Sequence, residues 1–491
     1  MPNSINGKKY FIIRLLLLLP FISFAQGEVD YRTEAFGSVS TGDYTPFWMV
    51  SNTYGIVPLK PDNGYLRGGL TWKQPLNKNF RLETGVDLVA VAKNTSSFWA
   101  HQFYTELSFQ AIHFTVGAKE NYYSLLDKDL SVGDMTYSTN ARPVPELRIG
   151  FPEYTKVPFM KGIMKFKAEF AVGKFLDSNY ILRTKNPTTQ YSTDILLHHK
   201  YLFLQWADPK EKFPWSFTFG LDHAAQWGGW TSMQDFGKLP ATLKDFIDIV
   251  FSKSGSGNAL ETDRINVLGN HLGSLNVQLE YKGKTFRASL YKQHYFDDNS
   301  GLEYANWRDG IWGGSIAFDH FPFMKKVVIE FLNTTNQSGP MHFLDYDNYN
   351  GVKYRGGGND NYYNHDYYIN GWSYYGRAIG NPLLTSPEYD TDGSLMFENN
   401  RIKAIHLGTN GNLNSAFSYR LLITQMYAWG RMYAPFLERK NDFSSLLECN
   451  YESPKWKGWK IGMQLAFDAG NLYGDNWGCS IKVSKSGIIG F

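Results

Sequence analysis

Several stretches of this chain alternate apolar and polar residues with a period of two, and that pattern limits the folds open to it. Phe103, Thr105, Leu107, Phe109 and Ala111 interleave with Gln102, Tyr104, Glu106, Ser108 and Gln110. The same holds for Ile112, Phe114, Val116 and Ala118, for Met164, Phe166, Ala168, Phe170 and Val172, and for Trp215, Phe217, Phe219 and Leu221. It holds again for Trp459, Ile461, Met463, Leu465 and Phe467 against Lys460, Gly462, Gln464, Ala466 and Asp468. Such a segment is an extended strand with one oily and one polar face. A soluble sandwich and a membrane barrel both present this pattern. Strand lengths of about 9–11 residues, which cross a bilayer when tilted, favour the barrel. So does the alternation of short connections, such as 453–458, with very long ones, such as 339–400. In hydrocarbon every backbone N–H and C=O must be paired inside the protein, so spanning strands must close on themselves. The expected fold is all-β: one transmembrane antiparallel barrel of roughly 16–18 strands, with long extracellular loops and a few short helices. It occupies residues 26–491 as a single domain.

The N-terminus supplies a location. Lys8, Lys9 and Arg14 precede an apolar run at 15–19 that continues through Pro20, Phe21 and Ile22, and Ser23-Phe24-Ala25 ends it. This is the pattern of a secretory signal peptide cut after Ala25. The run is too short to span a membrane as a helix. The whole chain carries 49 basic and 46 acidic residues, a net charge of +3. Cleavage removes three basic and no acidic residues, which leaves a neutral mature chain and no basic excess for nucleic acid. A terminal Phe491 closing a partly alternating stretch fits an exported barrel.

Two finer features carry geometry. In 240–252, Leu243, Phe246, Ile247, Val250 and Phe251 follow helical spacing behind Pro240. This predicts a short amphipathic helix, either packed on or inside the barrel or lying in a surface loop. Cys449 and Cys479 both fall on the apolar parity of their strands, with the strand at 459–468 between them in sequence. If it also lies between them in the sheet, two strand spacings of about 9–10 Å separate them. That is beyond disulfide reach, and the expectation is two free thiols facing lipid.

The segment 358–382, "GNDNYYNHDYYINGWSYYGRAIGNP", has almost no aliphatic residue but holds six tyrosines and one tryptophan. Other polar, glycine-bearing motifs sit near strand ends: "TPFWMVSNTYGIVP" at 45–58, Asp222-His223 with Gln226-Trp227-Gly228-Gly229, and Gly269-Asn270-His271-Leu272-Gly273. Gly371-Trp372-Ser373-Tyr374-Tyr375-Gly376-Arg377 leads on to Asn381-Pro382. As an ordered series these resemble the Wzi capsule-assembly family, in the branch found in Bacteroidetes, over nearly the whole mature chain. The resemblance implies an outer-membrane barrel of about eighteen strands whose long extracellular loops constrict the mouth. It also implies helical elements near the periplasmic side, and a non-enzymatic role in holding exported capsular polysaccharide at the cell surface. The partners expected are that polysaccharide, outer-membrane lipid and the capsule export machinery, around a monomeric barrel.

Aromatic rings offer flat apolar faces to sugar rings while keeping a polar tip, and Asn, Asp and His offer directional hydrogen bonds. On that chemistry the candidate polysaccharide contacts are Tyr362, Tyr363, Tyr367, Tyr368, Trp372, Tyr374, Tyr375 and Arg377, with His365 and Trp227. The competing reading is that the same rings are loop packing or an interfacial girdle. Catalysis has little support: His223, His271, His294, His342 and His365 lie near Asp, Asn or Ser, but no G-x-S-x-G elbow or H-E-x-x-H accompanies them. "DYDNYNG" at 345–351 departs from a calcium loop in the place of its glycine and lacks the closing glutamate. No cofactor or metal is assigned. The alternatives to capsule binding are a porin or transport barrel for small solutes and a barrel enzyme acting on lipid or glycan. N-terminal sequencing of protein recovered from membranes should begin at Gln26; an intact Met1 would overturn the signal-peptide assignment.

Overall fold

The alternating stretches are strands, and eighteen of them form one antiparallel sheet that closes into a barrel. The structure is a computed structural model that describes residues 27–233, 236–254, 267–297, 299–340, 342–344 and 355–490. The signal segment, the 345–351 stretch and Phe491 lie outside these residues. The strands are β1 (Glu28–Thr41), β2 (Gly64–Pro75), β3 (Phe80–Ala92), β4 (Phe98–Phe109), β5 (Ile112–Ala118), β6 (Glu146–Lys156) and β7 (Met164–Lys174). Then come β8 (Leu196–Ala207), β9 (Trp215–Trp227), β10 (Asn270–Lys282), β11 (Phe286–Phe296), β12 (Gly310–Phe318) and β13 (Lys326–Asn333). The last five are β14 (Ile402–Asn412), β15 (Phe417–Arg431), β16 (Ala434–Tyr451), β17 (Trp459–Gly470) and β18 (Asn476–Gly490). Each strand pairs with its sequence neighbours, and β1 also pairs with β18, from Glu28 opposite Gly490 to Thr41 opposite Trp477. That seam removes the two edges an open sheet would leave unpaired.

The two faces sort as the alternation predicts. Phe103 and Leu107 on β4, Phe217 and Leu221 on β9, and Met463 and Leu465 on β17 are exposed on the outer wall. Their alternates, such as Glu106, Asp222 and Asp468, are buried on the lumen side. Aromatic pairs ring the short-turn end of the barrel, among them Phe80 with Phe109 at 4.7 Å and Trp215 with Tyr281 at 4.9 Å. Such girdles mark the membrane–water boundary. Cys449 lies opposite Met463 and Cys479 opposite Leu465, so β17 separates them, and both are free thiols.

The eight connections on one side of the barrel are short. On the other side, 42–63, 119–145, 175–195, 228–269 and 334–401 are long, although 93–97, 432–433 and 471–475 are brief. Four short helices lie among the described residues: α1 (Phe47–Val50), α2 (Ser178–Thr184), α3 (Leu243–Val250) and α4 (Asn299–Leu302). All sit in loop-side connections. This corrects the expectation of helices near the periplasmic side, if the short turns face the periplasm: among the described residues no turn-side connection exceeds seven residues, and all are spent on reversing the chain between paired strands. The predicted helix at 240–252 forms as α3, capped by Thr242 and Asp245 in a reciprocal box. It lies on the outer wall, where its partners include Trp227, Ala225 and Leu268.

Leu465 stands mid-strand on the outer face. Replacing it with arginine should cost about 2–4 kcal/mol of stability in a bilayer. Urea titration of the refolded protein in vesicles measures this, and an unchanged midpoint would mean the outer wall does not face hydrocarbon.

Candidate functional site

The lumen is filled by the protein's own loops, and the polar lumen wall holds them. Segments 42–63, 119–145 and 361–400 enter the barrel carrying backbone N–H and C=O groups that need partners once away from water. Inward side chains of the strands supply many of them. Asp468 on β17 accepts from the Phe47 N–H at 2.8 Å, and Glu330 on β13 accepts from the Val132 N–H at 2.8 Å and the Ser131 hydroxyl at 3.0 Å. Gln293 on β11 accepts from the Met135 N–H at 2.8 Å and donates to Asp134 at 2.7 Å. His406 on β14 bonds the Leu130 carbonyl at 2.8 Å. The inward charges nearby are paired among themselves: Arg67 with Asp87 at 2.8 Å, and Lys119 with Glu106 at 2.8 Å and Glu83 at 3.0 Å.

Segment 358–382 is the centre of this plug. Tyr362, Tyr363, Tyr368 and Trp372 are almost fully buried, and Tyr367, Tyr374 and Arg377 are buried as well. Their rings pack with Phe47, Met49, Leu130, Met135, Ile379 and Phe397 in one hydrophobic core inside the lumen. Their polar tips bond inward. The Trp372 indole donates to the Thr136 carbonyl at 2.8 Å, the Tyr363 hydroxyl to the Met135 carbonyl, and the Tyr362 hydroxyl to Asp309 at 2.9 Å. Arg377 donates to the carbonyls of Val50 at 3.0 Å and Val57 at 2.7 Å and pairs with Glu388 at 2.8 Å, clamping the segment to the first loop. Ser373 and Tyr374 pair back on Ala378 and Arg377 through a two-residue turn in which Tyr375 and Gly376 both have positive φ. That is the geometry of a tight hairpin turn. A Cβ at Gly380 would overlap the Tyr363 hydroxyl and the Met135 carbonyl.

The predicted contact residues therefore do not form one open surface. Only His365 and Tyr375 keep partial exposure. Trp227 is elsewhere: it is buried on the outer wall of β9, its ring 5.2 Å from Phe246 of α3. Its inward neighbour Gln226 reaches the plug instead, donating to the Gly371 carbonyl at 3.0 Å. Truncating Trp372 would remove roughly 3–5 kcal/mol of packing. Loss of retention in such a variant would not isolate a sugar contact.

A surface that sequence reasoning missed covers the mouth above β8 and β9. Ser192–Thr193, Trp230–Thr231 and Gly237–Lys238 form a three-stranded ribbon. Its inner face seals the plug: Ser192 is fully buried, donates its hydroxyl to the Tyr367 carbonyl at 2.7 Å and exchanges bonds with Asn370 at 3.1 and 2.7 Å. Strand alternation then turns Tyr191, Thr193 and Trp230 outward. Trp230 is 38% exposed, its ring centroid lies 5.4 Å from that of Tyr191, and the Lys185 ammonium sits 4.8 Å over Tyr191. Lys238 is paired beside Trp230. The sequence signal was slight, since two aromatics 39 positions apart meet only through the ribbon. Loop 119–145 was missed too, because its polar, small residues carry no periodic pattern.

Beneath the plug is a polar cavity of about 660 Å³. It runs from Asn52 and Tyr54 on the plug's underside to Asn412, Ser418 and Glu452 beside the short turns. Another buried cluster, Tyr123, His199 and Asp222, is joined by bonds of 2.7–2.9 Å and stacked under Tyr137 and Tyr201. Its groups satisfy one another inside the wall.

Burial pushes the Asp309 carboxyl up to about 6, against bonds from the Asn336 and Gln337 N–H groups and Tyr362 that favour its ionised form. The folded state thus keeps a proton that the unfolded chain loses near pH 4, so the contribution of Asp309 to stability is largest below pH 4 and falls as pH rises towards 6. Asp309→Asn removes that titration. The stability gap between wild type and variant should therefore narrow between pH 4 and 7, by on the order of 3 kcal/mol. Denaturant titration in detergent at several pH values checks this, and a gap that widens with pH refutes it.

A family model described as "Capsule assembly protein Wzi" matches residues 45–386. Among solved structures, the chain is similar to Wzi of Escherichia coli, described as an outer membrane protein involved in group 1 capsule assembly and a carbohydrate-binding β-barrel. Identity is 13% over 98% of this chain and 89% of that one, with a TM-score of 0.58, so the likeness is one of fold. OccAB4 of Acinetobacter baumannii is more distant, at 8% identity over 95% of this chain and 99% of that one with a TM-score of 0.46. No curated protein matches the chain.

Proposed function

The chain belongs to the Wzi capsule-assembly family, and from that premise we propose that it is an outer-membrane protein that holds exported capsular polysaccharide at the cell surface during capsule assembly. The long-loop side is then extracellular and the short-turn side periplasmic. The observation that carries this reading is the sealed mouth. Three loops fill the lumen as a bonded core, and the ribbon above them turns an aromatic pair outward with two lysines beside it. A polymer too large to enter a pore needs such a surface rather than a channel. Tyr191 and Trp230 are the primary sugar platform, joined at the rim by His365 and Tyr375. The buried tyrosines, Trp372 and Arg377 serve the polysaccharide indirectly, by keeping the floor beneath the ribbon rigid. The role is binding without catalysis, performed by a monomer that receives polymer from the export machinery.

The porin reading is favoured by no observation of comparable weight; a steady large conductance in planar bilayers would revive it. The binding reading is tested by Tyr191→Ala with Trp230→Ala in purified protein titrated with capsular polysaccharide from the parent strain. At about 0.5–1.5 kcal/mol for each ring contact, the double variant should bind roughly five- to 150-fold more weakly. Its thermal unfolding should stay close to wild type, because both rings lie outside the plug core. Wild-type affinity in a folded double variant would reject the platform.

A further inference from the structure

The outer wall carries a polar patch where a membrane barrel should be apolar, and α3 covers it. On β8, β9 and β10 the exposed outward residues Leu202, Phe219, Leu221, Val277 and Leu279 belong to the oily belt. Towards the loop side the same parity places His198, Lys200, His223 and His271 on the outer wall. The three histidines are buried there. Phe246 of α3 packs edge-on to His198 at 5.9 Å, and Ile249 packs with Ala225, Trp227 and Leu268. Lys200 donates to the Val250 carbonyl at the helix end, and the Ser252 hydroxyl lies 3.4 Å from His223. On the wall the imidazoles bond the Ala171 and Leu268 carbonyls and one another, and the helix keeps these polar rings out of contact with acyl chains.

The face that α3 turns away from the barrel is itself apolar. Leu243, Ile247 and Phe251, spaced four apart, are 76%, 46% and 67% exposed. Sequence spacing alone assigns these three to a packing face with Phe246 and Val250, and the barrel receives only part of that face. The remainder forms a stripe continuous with the lipid-facing belt below it. Lys244, which pairs with Asp248 at 2.7 Å, and Lys253, 5.8 Å over the Phe251 ring, are the helix's flanking cations. An exposed apolar line bordered by lysines at the edge of a membrane belt is the arrangement of a helix lying in the interface.

We propose that α3 is an in-plane membrane element. It rests in the outer leaflet with Leu243, Ile247 and Phe251 among the acyl chains and Lys244 and Lys253 at the anionic headgroups, and it insulates the histidine patch behind it. The membrane thereby holds the segment that directly follows two of the ribbon's three strands, Trp230–Thr231 and Gly237–Lys238. This inference does not depend on what the mouth binds.

The test uses full-length protein with Cys449→Ser and Cys479→Ser, and single cysteines introduced as Leu243→Cys, Ile247→Cys or Phe251→Cys. Asp366→Cys, at the exposed mouth, is the comparison. Each is labelled with an environment-sensitive fluorophore and reconstituted in phosphatidylethanolamine–phosphatidylglycerol vesicles, with heat-modifiable gel mobility confirming a folded barrel. Lipids spin-labelled near the headgroup should quench the three helix positions by about twofold or more, lipids labelled near the chain end should quench them less, and Asp366→Cys should be unaffected. Quenching of the helix positions by aqueous iodide with no response to spin-labelled lipid would overturn the proposal. So would disulfide cross-linking of Ile247→Cys between two copies in place of lipid quenching, since a second copy would then be the occupant.

Discussion

The seam between β1 and β18 is the constraint on which everything else rests. Hydrocarbon offers backbone groups no alternative partner, so the sheet has to close. Closure then divides the side chains into two populations. Those facing out are solvated by acyl chains and can be plain Leu, Phe and Val. Those facing in line a space that eighteen strands make too wide for side chains alone to fill. A barrel of this size must hold either water or protein in its middle.

Here it holds protein, and the inner wall is chemically fitted to that task. Loop backbone brought into the lumen arrives with unmet donors and acceptors, and Asp468, Glu330, Gln293 and His406 meet several of them directly. The aromatic residues complete the filling. Tyr and Trp provide large apolar area and still carry a polar tip that can bond to a neighbouring loop, which suits a core made of irregular backbone. Tyr362, with its hydroxyl on Asp309 and its ring against Tyr295, satisfies both requirements at once.

What was legible in the sequence follows from periodicity. The alternation at 102–111 and 459–468 gave wall strands with the correct face outward, and parity alone placed Cys449 and Cys479 on the lipid side, apart from each other. Helical spacing found α3, but not that Leu243, Ile247 and Phe251 would point away from the barrel, because spacing defines an apolar face without naming what covers it. The composition of segment 358–382 fits both sugar contact and loop packing. Its depth depends on contacts with 42–63 and 119–145, hundreds of positions away in the case of Arg377 and Val50, and no local pattern encodes those. The Tyr191 and Trp230 pair was invisible for the same reason.

The ribbon above the mouth puts one residue on each side by turns, and that separates two kinds of work at single-residue resolution. Ser192 and Thr231 are fixed by what lies beneath them, whereas Tyr191 and Thr193 are half-buried and Trp230 is exposed on the opposite face. A substitution at one of these outward positions therefore leaves the inner-face bonds to Tyr367 and Asn370 in place. On the role proposed for the ribbon, this scaffold can follow chemical variety among capsules through a handful of codons, with no renegotiation of how the barrel folds.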